Sequence, residues 1–462
     1  MKTALLWLRH DLRITDHNGF HQATTWADKV YVTFVFDPAI LEPLPKNDRR
    51  VSFIWDSLEN IKRELGPKAT SFKIFHDHPS QVIPKIAKDL EVQRVYATED
   101  YEPKAIMRDS GIQEELTGLG VDLILLKDSV IFHKDEVVKK DGSYYKVFTP
   151  YKKQWLELLS QLPLPKYKSN LEKLTSWPNN TTTKTQLTDL KQLGFHHTPC
   201  LIEPGIDGAK TQWQSFKKII QNYHEDRDFP SLNGTSGLSV HLRFGTISIR
   251  QLVSSCSLRE KGHEVWLSEL IWREFYKMIL FYAPYVETRA FKKEFQDIHW
   301  RGKDTWFQKW KEGQTGFPIV DATMRHFANT GMMHNRLRMV VAQFLTKDLL
   351  VDWRKGEEYF ARNLLDFDLS ANNGGWQWSS STGCDAQPYF RIFNPWLQSK
   401  KFDKEGTFIK SHLPELDPLE AKFLHDPKSM IKHRPQSYPL PIVDHSQMRD
   451  KALAMFKATK SK

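Results

Sequence analysis

DFDLSANNGGWQWSSSTGCDAQPYFRIFNP, residues Asp366 to Pro395, packs amides, glycines, hydroxyls and aromatics into one short segment with few aliphatics. An ordinary core segment does not look like this, and two readings compete. As a helix, it sends Trp376 and Trp378, two residues apart, to nearly opposite sides, one toward a ligand and one away. Asn372 then offers a donor and an acceptor at one side-chain tip, and Gly374 and Gly375 let backbone approach a flat ligand with no Cβ in the way. That combination suits an edge contact to a heteroaromatic ring. As a turn, Asn373-Gly374 breaks the chain ahead of two core tryptophans. The surrounding chain has to decide.

Helical periodicity dominates upstream. Pro318 opens a helix that ends near Gly331, and His334-Asn-Arg-Leu-Arg-Met339 begins another that is expected to run through Leu350. On it Asn335, Arg338 and Met339 share one face, while Leu337, Val341, Phe344 and Leu345 supply the apolar side. A helix over Glu264–Phe281 buries Leu267, Leu270, Ile271, Met278 and Ile279, and places Glu269 and Trp272 on one face. A carboxylate beside an indole suits an extruded base, read by hydrogen bonds and stacking; the alternative is a Glu269–Arg273 salt bridge with Trp272 in the core. Earlier still, Trp213, Phe216, Ile219, Ile220 and Tyr223 step by three and four until Arg227–Pro230 breaks the pattern. Gly234-Thr-Ser-Gly-Leu-Ser239 follows, either cradling a phosphate with free backbone N–H groups or simply capping the next helix.

The N-terminal part has another rhythm. Strand-like runs at Leu5–Leu8, Val30–Phe36, Phe72–Phe75, Arg94–Ala97 and Asp122–Leu126 alternate with amphipathic segments, which predicts a doubly wound, five-stranded parallel α/β domain. No G-x-G-x-x-G follows the first strand, where Trp7-Leu-Arg-His-Asp-Leu-Arg13 stands instead. Residues 127 to about 210 lose this pattern and include the polar run Asn179–Thr185, composition that buries little surface. The expected division is an α/β domain over 1–130, a connector over 131–210 and an all-helical domain over 211–462.

Composition narrows the function. Lys and Arg total 66 against 56 Asp and Glu, a formal charge of +10, which favours a polyanionic partner, nucleic acid first. The three cysteines stand far apart without a CxxC, arguing against disulfides and zinc sites and for a reducing compartment. Only a short apolar run precedes Arg9, so no signal peptide is expected, and the run Met278–Val286 is too short to span a membrane. Fifteen tryptophans are many for a residue that needs both its ring and its N–H used; stacking and electron transfer both use indoles.

Taken together, Trp7–Arg13, Thr235-Ser-Gly-Leu-Ser239, Glu269-Leu-Ile-Trp-Arg-Glu-Phe-Tyr276, Gly316-Phe-Pro-Ile-Val-Asp-Ala322, His334–Met339 and Asn372-Asn-Gly-Gly-Trp-Gln-Trp378 resemble the photolyase/cryptochrome family, most of all the class I cyclobutane pyrimidine dimer photolyases of bacteria. The resemblance covers nearly the whole chain in the family's order. It implies an antenna domain, a linker and a helical domain holding a U-shaped FAD below a DNA-facing cavity. By motif, Thr235, Ser236, Gly237, Leu238 and Ser239 resemble the FAD phosphate contacts, with Tyr223 nearby, and Asn372 resembles the residue at flavin N5. Arg338 and Asp366 match a charge pair beside the isoalloxazine. Glu269, Trp272, Asn335, Arg336, Met339 and Trp378 match the DNA and flipped-dimer contacts, and Trp376, Trp353 and Trp300 match the indole chain through which the photoexcited flavin is reduced.

The resemblance implies light-driven repair of pyrimidine dimers by electron transfer from reduced FAD, by a monomer acting on DNA in the cytoplasm, with no metal. Asn372 opposes a signalling cryptochrome, since plant-type and insect-type members tend to carry Asp or Cys there. A (6-4) photolyase looks to two histidines where this chain has Asn335 and Met339. The antenna departs from the pattern: folate-binding relatives carry an Asn-Glu pair in the segment that reads Tyr101-Glu-Pro-Lys-Ala105, and Ala105 stands in place of the Glu. Methenyltetrahydrofolate, a deazaflavin, another flavin or no second chromophore all stay open.

Overall fold

The computed structural model describes residues 1–179, 183 and 185–460; residues 180–182 and 184 of the polar run in the connector lie outside the described residues. The described chain forms two compact units. One comprises Met1–Tyr145, Pro150–Lys218 and Ser236–Phe281, and the other Lys146–Thr149, Ile219–Thr235 and Tyr282–Lys462.

The first unit is built on a sheet of β1 (Thr3–Leu8), β2 (Lys29–Phe36), β3 (Phe72–His76), β4 (Arg94–Thr98), β5 (Asp122–Leu126) and β6 (Gln186–Leu187), in the order β5-β4-β1-β2-β3-β6. The first five are parallel and fall within a residue or two of their expected bounds. Every residue of β1 is buried, as in a sheet covered on both faces, which is why its sequence reads as one apolar run without alternation. β6 is an addition, a two-residue antiparallel partner of β3, too short to show any period. Helices α1 (Pro79–Asp89) and α2 (Pro103–Gly118) each start with proline in the first turn, where its missing N–H costs nothing.

The stretch expected as a surface connector contains α3 (Phe148–Gln161) and the start of α4 (Gly205–Lys217). Trp155 of α3 is fully buried. Its indole N–H donates to Glu274 Oε2 at 2.7 Å, and the same carboxylate accepts the backbone N–H groups of Ile131 and Phe132. Glu274 lies on α5 (Lys261–Tyr282). One buried side chain therefore ties α3, the chain just after β5 and α5 together. Burial pushes its carboxyl up even though the three donors pull the other way. Tyr151, Trp155, Leu158 and Leu159 step by three and four, so α3 is a regular amphipathic helix inside the stretch expected as a connector.

The second unit is helical: α6 (Pro318–Thr330), α7 (Asn335–Gln343), α8 (Trp353–Asn363), α9 (Leu369–Ser380) and α10 (His445–Lys460) are its principal elements. Its core gathers Trp310, Phe317, Phe327, Phe344, Phe360, Trp376 and Trp396. The motif Gly316–Asp321 acts as a lock at the start of α6. Buried Asp321 accepts from Thr315 N at 2.8 Å, Thr315 Oγ1 at 2.6 Å, Gly316 N at 2.9 Å and Tyr438 OH at 2.6 Å. Gly316 has φ +78, and a Cβ there would lie 2.4 Å from the Leu440 carbonyl carbon, so only glycine fits.

α7 departs from expectation at its end. It stops at Gln343, and Phe344–Asp348 continue as a π-helix before Leu350 turns to φ +53. Lys347 in this segment is fully buried, its Nζ donating to Ser381 Oγ at 3.0 Å and standing 3.5 Å from the centre of the Phe456 ring on α10. A wider turn that seats an inward-facing lysine has no signature in apolar spacing. Among the described residues, no helix is long and apolar enough to cross a membrane.

Asp321→Asn replaces an acceptor of four donors with a group that must turn an N–H toward another N–H or O–H. It should lower stability by about 1–3 kcal/mol, the cost of an unsatisfied buried polar group, read as a drop in Tm with unchanged helix content.

Candidate active site

The opening stretch is a helix. Asp368 caps α9 by accepting Ala371 N at 3.1 Å, and the turn reading of Asn373-Gly374 falls away. Residues 372 and 376 then share one face and 373 and 377 the next. The second face is a lock: Asn373 Nδ2 donates to Val286 O at 2.9 Å, Gln377 Nε2 donates to Val286 O and Arg289 O at 3.0 and 3.1 Å, and Gln377 Oε1 accepts Phe291 N at 2.8 Å. Trp376 is buried and Trp378 half-buried, as expected of two indoles on opposite sides. At Gly375 a Cβ would meet nothing within 4 Å, so this part of the helix faces open space.

The first face carries Asn372. Its Nδ2 donates to the backbone oxygen of Glu357 at 3.1 Å and to Glu357 Oε1 at 2.7 Å. A backbone carbonyl can only accept, so the amide cannot be turned round, and Oδ1 is left as the atom turned away from Glu357. Burial pushes the Glu357 carboxyl up to about 7, with Glu287 and Glu358 adding to the rise and the Asn372 bond opposing it. Glu357 was missed in the sequence because Glu357-Glu358 on an amphipathic helix reads as a solvated face. Nearby in sequence, Arg338 Nη2 grips both oxygens of Asp366 at 3.0 and 2.8 Å, and its Nε donates to Met333 O at 2.9 Å. The expected charge pair is present, with Asp366 buried and Arg338 half-buried.

The three indoles of the expected relay lie in the second unit. Trp376 meets Phe360 edge to face at 4.9 Å and Trp310 at 6.1 Å. Trp353 is buried in the first turn of α8, behind the Asp352 cap. Trp300 is half-buried and packs edge to face on Phe456 at 6.2 Å. In the same unit Asn335 is exposed and Met339 half-buried. Arg336 pairs with Asp228 at 2.7 Å, reaches Met339 Sδ at 3.8 Å and lies over Phe402 at 4.5 Å. Tyr223 is buried, with Arg227 over its ring at 5.2 Å, and Thr235 is half-buried.

The first unit holds the rest of the phosphate loop. Gly237 has φ +63, Gln212 Nε2 fixes Ser236 O at 2.7 Å, and Ser236 Oγ accepts Leu238 N at 3.3 Å. The helix that follows, Ser239–Phe244, begins without a side-chain cap at Leu238. On α5, Glu269 and Trp272 are both half-buried. Trp272 packs on Phe275 and Tyr276 with centroids at 5.5 and 5.4 Å. Arg273 donates to the backbone oxygens of Ser129 and Leu242.

The loop after β1 forms a lattice of ion pairs. Arg9 clamps Asp109 at 2.6 and 3.0 Å, His17 Nε2 lies 3.1 Å from Asp11, and Arg13 and Arg250 both pair with Asp128. Asp11, His17 and Asp128 offer atoms within 4.8 Å of one another. The carboxylate of Asp128 is already occupied by two guanidinium groups, which hold it near 2 against the upward pull of burial. The cluster is a brace for the Trp7–Arg13 motif.

Residues 4–168 match the family model of DNA photolyase, and residues 266–458 that of the FAD binding domain of DNA photolyase. The chain is 37% identical to the deoxyribodipyrimidine photo-lyase of Vibrio cholerae over 99% of both chains. This chain belongs to the DNA photolyase family. Its fold superposes on that of a bacterial class III photolyase from Agrobacterium tumefaciens with a TM-score of 0.88 and 29% identity, covering 100% of this chain and 98% of that one. An archaeal photolyase from Sulfolobus tokodaii, solved with two FAD molecules, gives 0.84 at 31% identity over 99% and 100% of the two chains. In the second unit of this photolyase-family chain an amide with fixed polarity and a charge pair with its carboxylate buried fit FAD.

Glu357 also gives the photolyase fold a pH signature. An acid whose folded pKa is raised stabilises the fold when protonated, so this contribution is full below 4.5 and is lost as the pH rises through about 7. Tm measured across that range should fall further in the parent protein than in Glu357→Gln; parallel curves would show that Glu357 titrates normally.

Proposed function

We propose that this chain is a deoxyribodipyrimidine photo-lyase that splits cyclobutane pyrimidine dimers in DNA, driven by light absorbed at reduced FAD. The observation that carries the reading is the Asn372 amide, pinned by Glu357 so that Oδ1 is turned away from it, within a chain similar along its whole length to deoxyribodipyrimidine photo-lyases. When bound, FAD supplies one electron to the lesion and takes it back. An acceptor so turned suits a ring that carries N–H at its edge, as the reduced flavin does at N5, and it adds no negative charge there. The same polarity disfavours the cryptochrome reading, in which an acid or thiol stands at this position. Asn335 and Met339 stand where a (6-4) enzyme has two histidines.

The chain's own groups divide the work. Arg338 and Asp366 set a compensated charge pair beside the ring, and Ser236–Ser239 present backbone N–H groups to phosphate, with Tyr223 and Thr235 as further cofactor contacts. Glu269 and Trp272, with Asn335, Met339 and Trp378, receive the extruded lesion. The Glu269 carboxylate can accept a hydrogen bond from an N–H of the extruded lesion while the Trp272 indole stacks on it. Trp376, Trp353 and Trp300 carry electrons inward to reduce the cofactor. The basic balance serves DNA phosphates, and the enzyme acts as a cytoplasmic monomer. Ala105, buried in the first turn of α2, has no carboxylate to offer a pterin; absorption and mass spectra of chromophores released from purified protein identify any antenna.

The deciding experiment is light-dependent cleavage of a defined thymine-dimer oligonucleotide beside a (6-4) substrate: repair of the first alone is expected, and repair of neither in the light overturns the reading. Glu269→Ala should lower repair per absorbed photon more than it lowers DNA affinity, and equal yields would remove Glu269 from the chemistry. Affinity for the lesion should fall steeply with salt as phosphate contacts are screened. Trp300→Phe should block photoreduction of the oxidised enzyme yet leave repair by the chemically reduced enzyme, which a pair of assays on one preparation compares.

A further inference from the structure

Gly356 is a buried glycine in the interior of α8, three residues after Trp353 and on the same side of the helix. Its φ is not positive, so backbone conformation does not call for glycine, and a glycine inside a helix is a cost. The reason lies across the seam with α9. A Cβ on Gly356 would stand 2.1 Å from Cη2 and 2.5 Å from Cζ3 of Trp376, and 2.6 Å from Leu345 Cδ2. The outer edge of the indole rests on bare backbone.

Nothing else lets the ring give way. Phe360 and Trp310 wall it at 4.9 and 6.1 Å, and it is only 2% exposed. Nor does a hydrogen bond hold it, since Trp376 Nε1 is buried and finds no acceptor among the described residues. Buried indole N–H groups usually have a partner. Here position is set by shape alone, and Gly356 is the floor.

We propose that Gly356 is a positioning residue for cofactor photoreduction, setting the depth at which the Trp376 indole sits, and that any side chain there displaces the ring. This rests on reading Trp376, Trp353 and Trp300 as the electron relay. In that relay one electron leaves Trp376 for light-excited oxidised FAD, Trp353 refills Trp376, Trp300 refills Trp353, and an external thiol refills Trp300. With no acceptor at Nε1 among the described residues, the oxidised Trp376 ring keeps its proton and needs only an electron to be restored. Misplacement by about 1 Å in geometry-sensitive steps costs up to about 10²-fold in rate.

The test compares Gly356→Ala, Trp376→Phe and the double variant, each loaded with FAD and illuminated with a thiol, with rates expressed per bound flavin. Gly356→Ala should photoreduce more slowly by on the order of tenfold or more, and its near-ultraviolet circular dichroism should differ from the parent's by a band that is absent when Gly356→Ala is added to Trp376→Phe. Parent-like rate and spectrum in Gly356→Ala, beside a Trp376→Phe variant that no longer photoreduces, overturn the proposal while leaving the relay intact. Normal photoreduction by Trp376→Phe overturns the relay, and the proposal with it. If Gly356→Ala does not fold, the double variant decides: a folded double variant places the clash at the ring as proposed, and an unfolded one places it elsewhere and overturns the proposal.

Discussion

The seam between α8 and α9 is the constraint on which the second unit depends. Two contacts made one residue apart on α8 set it: Gly356 receives the edge of Trp376, and Glu357 receives the amide of Asn372. Because 372 and 376 are one helical turn apart, the contact that seats the indole and the contact that orients the amide are made by the same pair of helix faces. Slippage along this seam would move both together. The Asn373 and Gln377 bonds to the 286–291 backbone prevent rotation of α9 about its axis, so the polarity of the Asn372 amide and the depth of the Trp376 indole are fixed by one rigid element.

Elsewhere the fold spends buried polar groups on joining segments that are distant in sequence. Glu274 gathers α3, residues 131–132 and α5, and Asp321 gathers the start of α6 and Tyr438. Each such carboxylate is costly to bury and is kept by a full set of donors. The consequence for function is that Glu269 and Trp272 stand on a helix whose opposite side is anchored by Glu274, while the charges after β1 are used up in bracing the loop.

What was legible in the sequence follows from where periodicity survives. The five parallel strands could be read because a doubly covered sheet makes each one an unbroken apolar run, and α5, α6 and α7 because apolar residues recur at three and four. Trp376 is buried and Trp378 half-buried, the kind of difference that a spacing of two produces on a helix. What escaped was non-periodic or non-local. β6 is two residues long, the hold of Glu274 on Trp155 is non-local, and the π-turn at Phe344–Asp348 is seated by a buried lysine rather than by apolar spacing. Glu357 and Gly356 are unremarkable letters until α9 is packed against them. The candidate site was found through motif resemblance for Asn372, Arg338 and Asp366, yet the group that gives Asn372 its direction could be seen only in three dimensions.

We propose that a neutral amide of fixed polarity at position 372 equips this protein to hold its flavin fully reduced. Asn372→Asp keeps the size of the side chain and replaces its amide with an ionisable carboxyl beside the Glu357 carboxyl. The direct measurement is the absorption spectrum of the FAD-loaded variant during illumination with a thiol. The parent protein should proceed to the fully reduced cofactor while Asn372→Asp stops short of it; a variant that accumulates the fully reduced cofactor as readily as the parent would rule out this role for the amide.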